Sequence, residues 1–132
     1  MRKLKKQSHF YLGPKKNTAR IYLRKTFSNI FITLTDWHHR TMICKTSGNS
    51  GVTSSKRRKK APYAIENIIK ELNVFFKLYK ITRVYIILKM RVNTFFYFLT
   101  KELAFYGINV ISFRIRRPVA FNGTRGRKLR RL

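Results

Sequence analysis

The chain has 132 residues, of which 31 are Lys or Arg and 4 are Asp or Glu, giving a formal net charge of +27. That length fits one domain, and the charge excludes an ordinary soluble enzyme with a balanced surface, while a hydrophobic fraction of 44% excludes a wholly disordered basic tail. A folded chain this basic implies a polyanionic partner, most often nucleic acid.

Residues 1–18 read as a basic extension without acid, ahead of a single α/β domain over 19–116. Ala19, Ile21 and Leu23 alternate with Arg20, Tyr22 and Arg24, which predicts a strand over 19–25. Ser28 and Asn29 interrupt it, and the β-branched and aromatic stretch 30–35 predicts a second strand. Residues 36–40 are short and polar, the composition of a hairpin turn, and 41–46 predict an antiparallel return strand containing Cys44 as a small buried hydrophobe.

A loop follows, carrying Gly48, Asn49, Ser50 and Gly51 and then the basic run Lys56, Arg57, Arg58, Lys59 and Lys60. Small residues beside five cations suit a backbone lying against phosphates. Pro62 is placed for the first turn of a helix, and Ile65, Ile68, Ile69, Leu72, Phe76 and Tyr79 recur at helical steps, with Glu66 and Lys70 forming an i,i+4 pair. The apolar run 84–88 predicts a strand buried on both faces. Asn93 or Thr94 caps a second helix that stops at Gly107, and 108–114 predict a last strand with Ile108, Val110 and Ser112 facing one way. The order β-β-β-α-β-α-β gives one mixed five-stranded sheet with helices packed on it and parallel later strands.

Residues 117–132 form a basic C-terminal tail with no acid and no apolar period. Arg117, Arg125, Arg127, Lys128, Arg130 and Arg131 supply its cations, and a guanidinium matches phosphate with two parallel hydrogen bonds. Asn122 and Gly123 tolerate positive φ and predict a tight turn that takes the chain off the last strand. Acid-free segments (residues 1–35, 56–60 and 114–132) hold 22 of the 31 cations. Unpaired runs of this kind repel one another unless phosphate neutralises them.

Other chemistries are poorly served. The four acids, Asp36, Glu66, Glu71 and Glu102, offer no catalytic pair, since Glu66 and Glu71 fall on different faces of one helix. His38, His39 and Cys44 lack a fourth metal ligand. Gly48 and Gly51 lack the spacing and the Lys of a nucleotide-binding P-loop. One Cys cannot make an internal disulfide; no apolar run approaches the ~18 residues of a membrane span, and no signal-peptide pattern opens the chain. No catalysis, cofactor or metal is expected. Among the aromatics, Tyr22, Trp37, Tyr63 and Phe121 are the candidates for stacking on unpaired bases. The abundance of Ile, Phe, Tyr, Asn and Lys beside scarce Ala and Gly is the bias of an AT-rich genome, such as an organellar one.

Four segments together resemble a known family. Thr26-Phe27-Ser28-Asn29-Ile30-Phe31-Ile32-Thr33-Leu34-Thr35-Asp36 is similar to its S-F-N-N-T-I-V-T-I-T-D stretch, and Thr46-Ser47-Gly48-Asn49-Ser50-Gly51 to T-A-G-G-S-G. Arg58-Lys59-Lys60-Ala61-Pro62-Tyr63-Ala64 resembles R-K-S-T-P-F/Y-A, and Phe121-Asn122-Gly123 with Arg125 and the basic end resembles H-N-G-C-R-P-P-K-K-R-R-V. The order matches over residues 19–132, and the family is the universal small-subunit ribosomal protein eleven. The resemblance implies a three-layer α/β sandwich related to the ribonuclease H-like fold. It implies a non-catalytic place on the small-subunit platform, bound to ribosomal RNA near the messenger exit and messenger RNA, beside small-subunit proteins seven and eighteen. The RNA-binding set it implies adds Asn29 to the loop and tail residues above. The segment 89–93 departs from the family's K-G-P-G-x-G-R loop, keeping cations without glycine or proline. With the residue bias, this departure implies a mitochondrial member, with a plastid as the alternative. The competing class is an organellar DNA-packaging protein; a membrane-active cationic peptide is disfavoured because most cations lie outside the helices.

Overall fold

The computed structural model describes residues 17–50 and 62–131. Seven elements follow the expected order: β1 (Thr18–Lys25), β2 (Ile30–Thr35), β3 (Thr41–Thr46), α1 (Pro62–Leu78), β4 (Arg83–Leu88), α2 (Thr94–Phe105) and β5 (Asn109–Ile115). The strands make one mixed sheet in the order β3-β2-β1-β4-β5. β1–β2 and β2–β3 are antiparallel, and β4 lies parallel to both β1 and β5. The fold class is α/β.

Alternation decides which side of the sheet is dry. Ala19, Ile21 and Leu23 of β1, Ile30, Ile32 and Leu34 of β2, and Val84, Ile86 and Leu88 of β4 all have no exposed surface. They share one core with Ile65, Ile68, Ile69, Leu72 and Phe76 of α1 and with Phe95, Phe96, Leu99 and Leu103 of α2. Both helices lie on this same face. The Lys45 ammonium of β3, whose register partner is the core residue Ile32, reaches Glu71 of α1 at 2.7 Å. Phe113 of β5, partner of the core residue Ile86, stacks obliquely on Phe96 of α2 with ring centres 4.8 Å apart. Among the described residues there are therefore two layers, helices over sheet, and no helix covers the second face. β4, expected to be buried on both sides, is buried on one: Tyr85 and Ile87 are only half-buried.

Local signals account for the element ends. Asn93 is extended (φ −148°) and its Oδ1 accepts a hydrogen bond from the Phe95 amide at 3.1 Å, satisfying an otherwise orphaned donor. Gly107 closes α2 at φ +74°, its amide donating to the Ala104 carbonyl at 3.0 Å. Lys70 and Glu66 pair at 2.6 Å one turn apart. The last strand departs from simple alternation. Val84 pairs with Val110 but Tyr85 with Ser112, so Ile111 is an extra residue in a β-bulge. Val110 and Phe113 consequently share the core-side face, and Ser112 points the other way. The even residues of this strand do not stay on one face, as the sequence pattern had predicted.

Candidate nucleic-acid interface

The uncovered face of the sheet is made from the opposite parity of four strands: Arg20, Tyr22 and Arg24, Phe31 and Thr33, Tyr85 and Ile87, Ser112 and Arg114. The turn between β2 and β3 adds Trp37 and His39 to it. Asp36, with no exposed surface, fixes that turn: its carboxylate accepts from the Arg40 amide at 2.8 Å and from Arg40 Nε at 3.0 Å. The Asp36 amide donates to the Arg40 carbonyl at 3.0 Å, and His39 takes a left-handed φ of 63°. The bent turn lays Trp37 back over β1. There the Arg20 guanidinium sits 4.4 Å from the Trp37 ring centre, and the Tyr85 ring centre is 5.8 Å from that of Trp37. The Tyr22 hydroxyl lies 2.6 Å from His39 Nδ1, and Arg20 also contacts the His39 ring.

These side chains line a concavity of about 500 Å³, with Arg114 and Arg116 completing its rim. A second concavity of about 580 Å³ adjoins it where the chain leaves β5, lined by Arg24, Lys89, Arg116, Arg117, Pro118, Val119 and Phe121. Arg116 borders both, so one line of cations runs from the sheet face to the start of the tail. Lys89 Nζ lies 5.6 Å from the Tyr22 ring centre. Acid is absent from this line: Asp36 is buried, and Glu66, Glu71 and Glu102 belong to the helical layer. Positive charge gathered on one side without counter-charge is the electrostatic footprint of a phosphate-binding surface.

The residues expected to bind RNA divide into three groups. Arg117, Asn122, Gly123, Arg125, Arg127, Lys128, Arg130 and Arg131 are all exposed, in a stretch 116–131 that forms no helix or strand. Asn122 has the left-handed φ (58°) expected of a turn, but the chain has left β5 well before it, through Arg116 and Pro118. In the second group, Asn29 Oδ1 accepts from the Ile30 amide at 2.9 Å and from the Ser47 hydroxyl, tying the β1–β2 turn to the exit of β3. Asn49 is exposed, with its amide donating to the Thr46 carbonyl at 3.1 Å. Gly48 is half-buried, and Ser50 is buried, with no hydrogen-bond partner for its hydroxyl among the described residues. The third group, Gly51 and Lys56, Arg57, Arg58, Lys59 and Lys60, lies outside the described residues, as does the N-terminal extension up to residue 16.

Cys44 is exposed rather than buried. It shares the parity of the uncovered face, where the Thr33 hydroxyl donates to its sulfur at 3.3 Å. Arg20, Tyr85, Arg114 and Arg116 were not anticipated as site residues. The alternating cations of β1 were the available signal, since an Arg-Tyr-Arg face on a central strand has to meet something other than a core.

The profile of ribosomal protein S11 matches residues 19–131, nearly the whole of the described chain. The chain belongs to that family. No curated protein sequence matches it significantly. As a member of the S11 family it is a small-subunit ribosomal protein that binds ribosomal RNA alongside other small-subunit proteins and takes part in translation, and the family is structural rather than enzymatic. The S11 match begins at Ala19 on β1 and ends within the basic tail, so both the cationic sheet face and residues 116–131 fall inside it. Among the described residues no three His, Cys, Asp or Glu side chains cluster as a metal site would require, and no helix is long and apolar enough to cross a membrane.

Proposed function

We propose that this S11-family chain sits on the platform of an organellar small subunit near the messenger exit, with small-subunit proteins seven and eighteen as neighbours and messenger RNA within reach. The residue bias and the altered 89–93 loop favour the mitochondrion, with the plastid as the alternative. Its RNA ligands are the loop from Gly48 to Lys60 and the tail of residues 117–132, a unit distinct from the domain over 19–116. The observation that carries this reading is the acid-free tail: six Lys and Arg side chains, all exposed, on a segment with no regular structure. Such a segment cannot bury itself against the core, and phosphate is the counter-charge that orders it. Arg125 and Arg127 are its forked phosphate ligands.

The test is truncation after Val119, followed by sedimentation of the tagged chain with small subunits over a range of salt. The shortened chain is expected to leave the subunit at lower salt than the full chain. Unchanged salt resistance overturns the assignment of the tail. Failure of the full chain to sediment with small subunits overturns the ribosomal placement.

A further inference from the structure

The uncovered sheet face does more than attract phosphate. Phosphate binding needs cations, yet the concavity floor is aromatic: Tyr22, Trp37 and Tyr85 meet there beside Ile87, and all four remain only half-buried. The core between helices and sheet is built from the opposite strand parity and the inner helix faces, and these aromatics are held away from it by the strand alternation and by the Asp36–Arg40 turn. Aromatic rings are sequence-tolerant platforms for bases, because every base has a π-face, and cations around them suit the flanking backbone. A volume of about 500 Å³ lies in the range of pockets that enclose a small organic ligand.

We propose that this face is a seat for an unpaired RNA base, stacked on the Tyr85–Trp37 pair with its flanking phosphates on Arg114 and Arg116. Charge complementarity selects nucleic acid over a protein partner, since no exposed carboxylate stands on the face and four guanidinium groups (Arg20, Arg24, Arg114 and Arg116) surround it. The stacking surface selects a single strand over a duplex, whose bases are already paired and stacked. Arg20 acts as a positioning residue: its guanidinium covers one side of Trp37 and orients the ring. The seat is made by residues of β1, β4, β5 and the β2–β3 turn, none of which belongs to the Gly48–Lys60 loop or to the tail beyond Val119. The inference rests on the ribosomal reading only in taking RNA as the ligand.

Trp37 is the single Trp of the chain, so its fluorescence reads this seat directly. The full chain is titrated with a single-stranded RNA decamer and, separately, with the same sequence as a duplex. Saturable quenching by the single strand is expected, with at least tenfold weaker quenching affinity for the duplex. Tyr85→Leu and Arg114→Gln should each weaken the single-strand affinity about tenfold. Arg114 is exposed, so its variant keeps the test valid should the Tyr85 variant fold poorly. The chain truncated after Val119 should keep the quenching. Equal quenching by the duplex, an unchanged affinity in Arg114→Gln, or quenching lost on truncation alone overturns the proposal. A chain that sediments with small subunits but shows no quenching refutes the base seat and leaves the ribosomal placement intact; quenching without sedimentation does the reverse.

Discussion

Acidic residues are scarce in this chain, and three of the four are committed to ion pairs, two of them within one helical or turn step and one, Glu71 with Lys45, between α1 and β3. Asp36 is the most consequential, because a carboxylate with no exposed surface is held by the Arg40 amide and Nε and in turn shapes the loop that carries Trp37. Asp36→Ala removes the acceptor of the Arg40 amide, while the exposed Arg40 guanidinium turns to water, and is expected to cost about 1 kcal/mol, measured by urea unfolding. Asp36→Asn keeps an acceptor for the amide and should cost less; equal losses would mean that the charge, not the hydrogen bond, holds the turn. Glu66 acts through Lys70. Its hydrogen bond and its charge raise the Lys70 pKa above the ordinary 10.5. A cation whose folded pKa is raised contributes stability that is complete below the unfolded value and disappears as pH rises through the folded one. The melting-temperature difference between the native chain and Glu66→Gln should therefore be small but constant near neutrality, begin to shrink near pH 10.5 and vanish as pH rises through the raised folded value. A difference that persists at high pH would assign it to helix propensity instead.

At the scale of elements, β1 is the keystone. It pairs with β2 on one side and β4 on the other, so its inward residues anchor the core and its outward residues lie mid-face on the open side. The helices behind it depend on their ends. Asn93→Ala removes the acceptor for the Phe95 amide and should destabilise the fold by about 1 kcal/mol. Gly107→Ala meets no neighbouring atom, so its expected loss, also about 1 kcal/mol, is purely that of placing a β-carbon at φ +74°. If Gly107→Ala proves neutral, the left-handed stop is not what ends α2. Strand boundaries and helix caps were legible in the sequence, because they rest on local chemistry: Asn before the first turn, Gly after the last, and Pro62 at a helix start. The bulge at Ile111 was not legible. An inserted residue changes which side chains share a face only relative to the neighbouring strand, and nothing in 108–114 by itself marks where pairing with β4 slips.

At the scale of the whole molecule, the distribution of charge matters more than its sum. The helical layer holds Glu66, Glu71 and Glu102, whereas the opposite side and the tail expose cations and no carboxylate, Asp36 being buried. With about ten phosphates neutralised, the logarithm of the RNA association constant should fall against log salt with a slope of about −7 to −9. A slope shallower than about −3 would mean that the cationic face and tail are not the main binding surface. Truncation after Val119 removes five of these cations, and every phosphate left without its cation should flatten the slope by about 0.7–0.9. Base stacking contributes little to the slope, so Tyr85→Leu should weaken binding while leaving it nearly unchanged.

The sequence by itself determined the α/β class, the order of the seven elements, the family and the basic character of the tail. Each of these follows from residue type and periodicity within a short window, or from motifs that keep their order along the chain. Only the tertiary structure decided which face of the sheet the helices cover. Whether Tyr22, Trp37, Tyr85 and Arg114 are core or surface depends on that choice, and they come from three strands and a turn spread across the chain. Alternation divides a strand into two faces but does not say which one another layer will bury. Here both helices fell on the side of Ile21, Ile32 and Ile86, and the cations and aromatics of the other parity were left facing water.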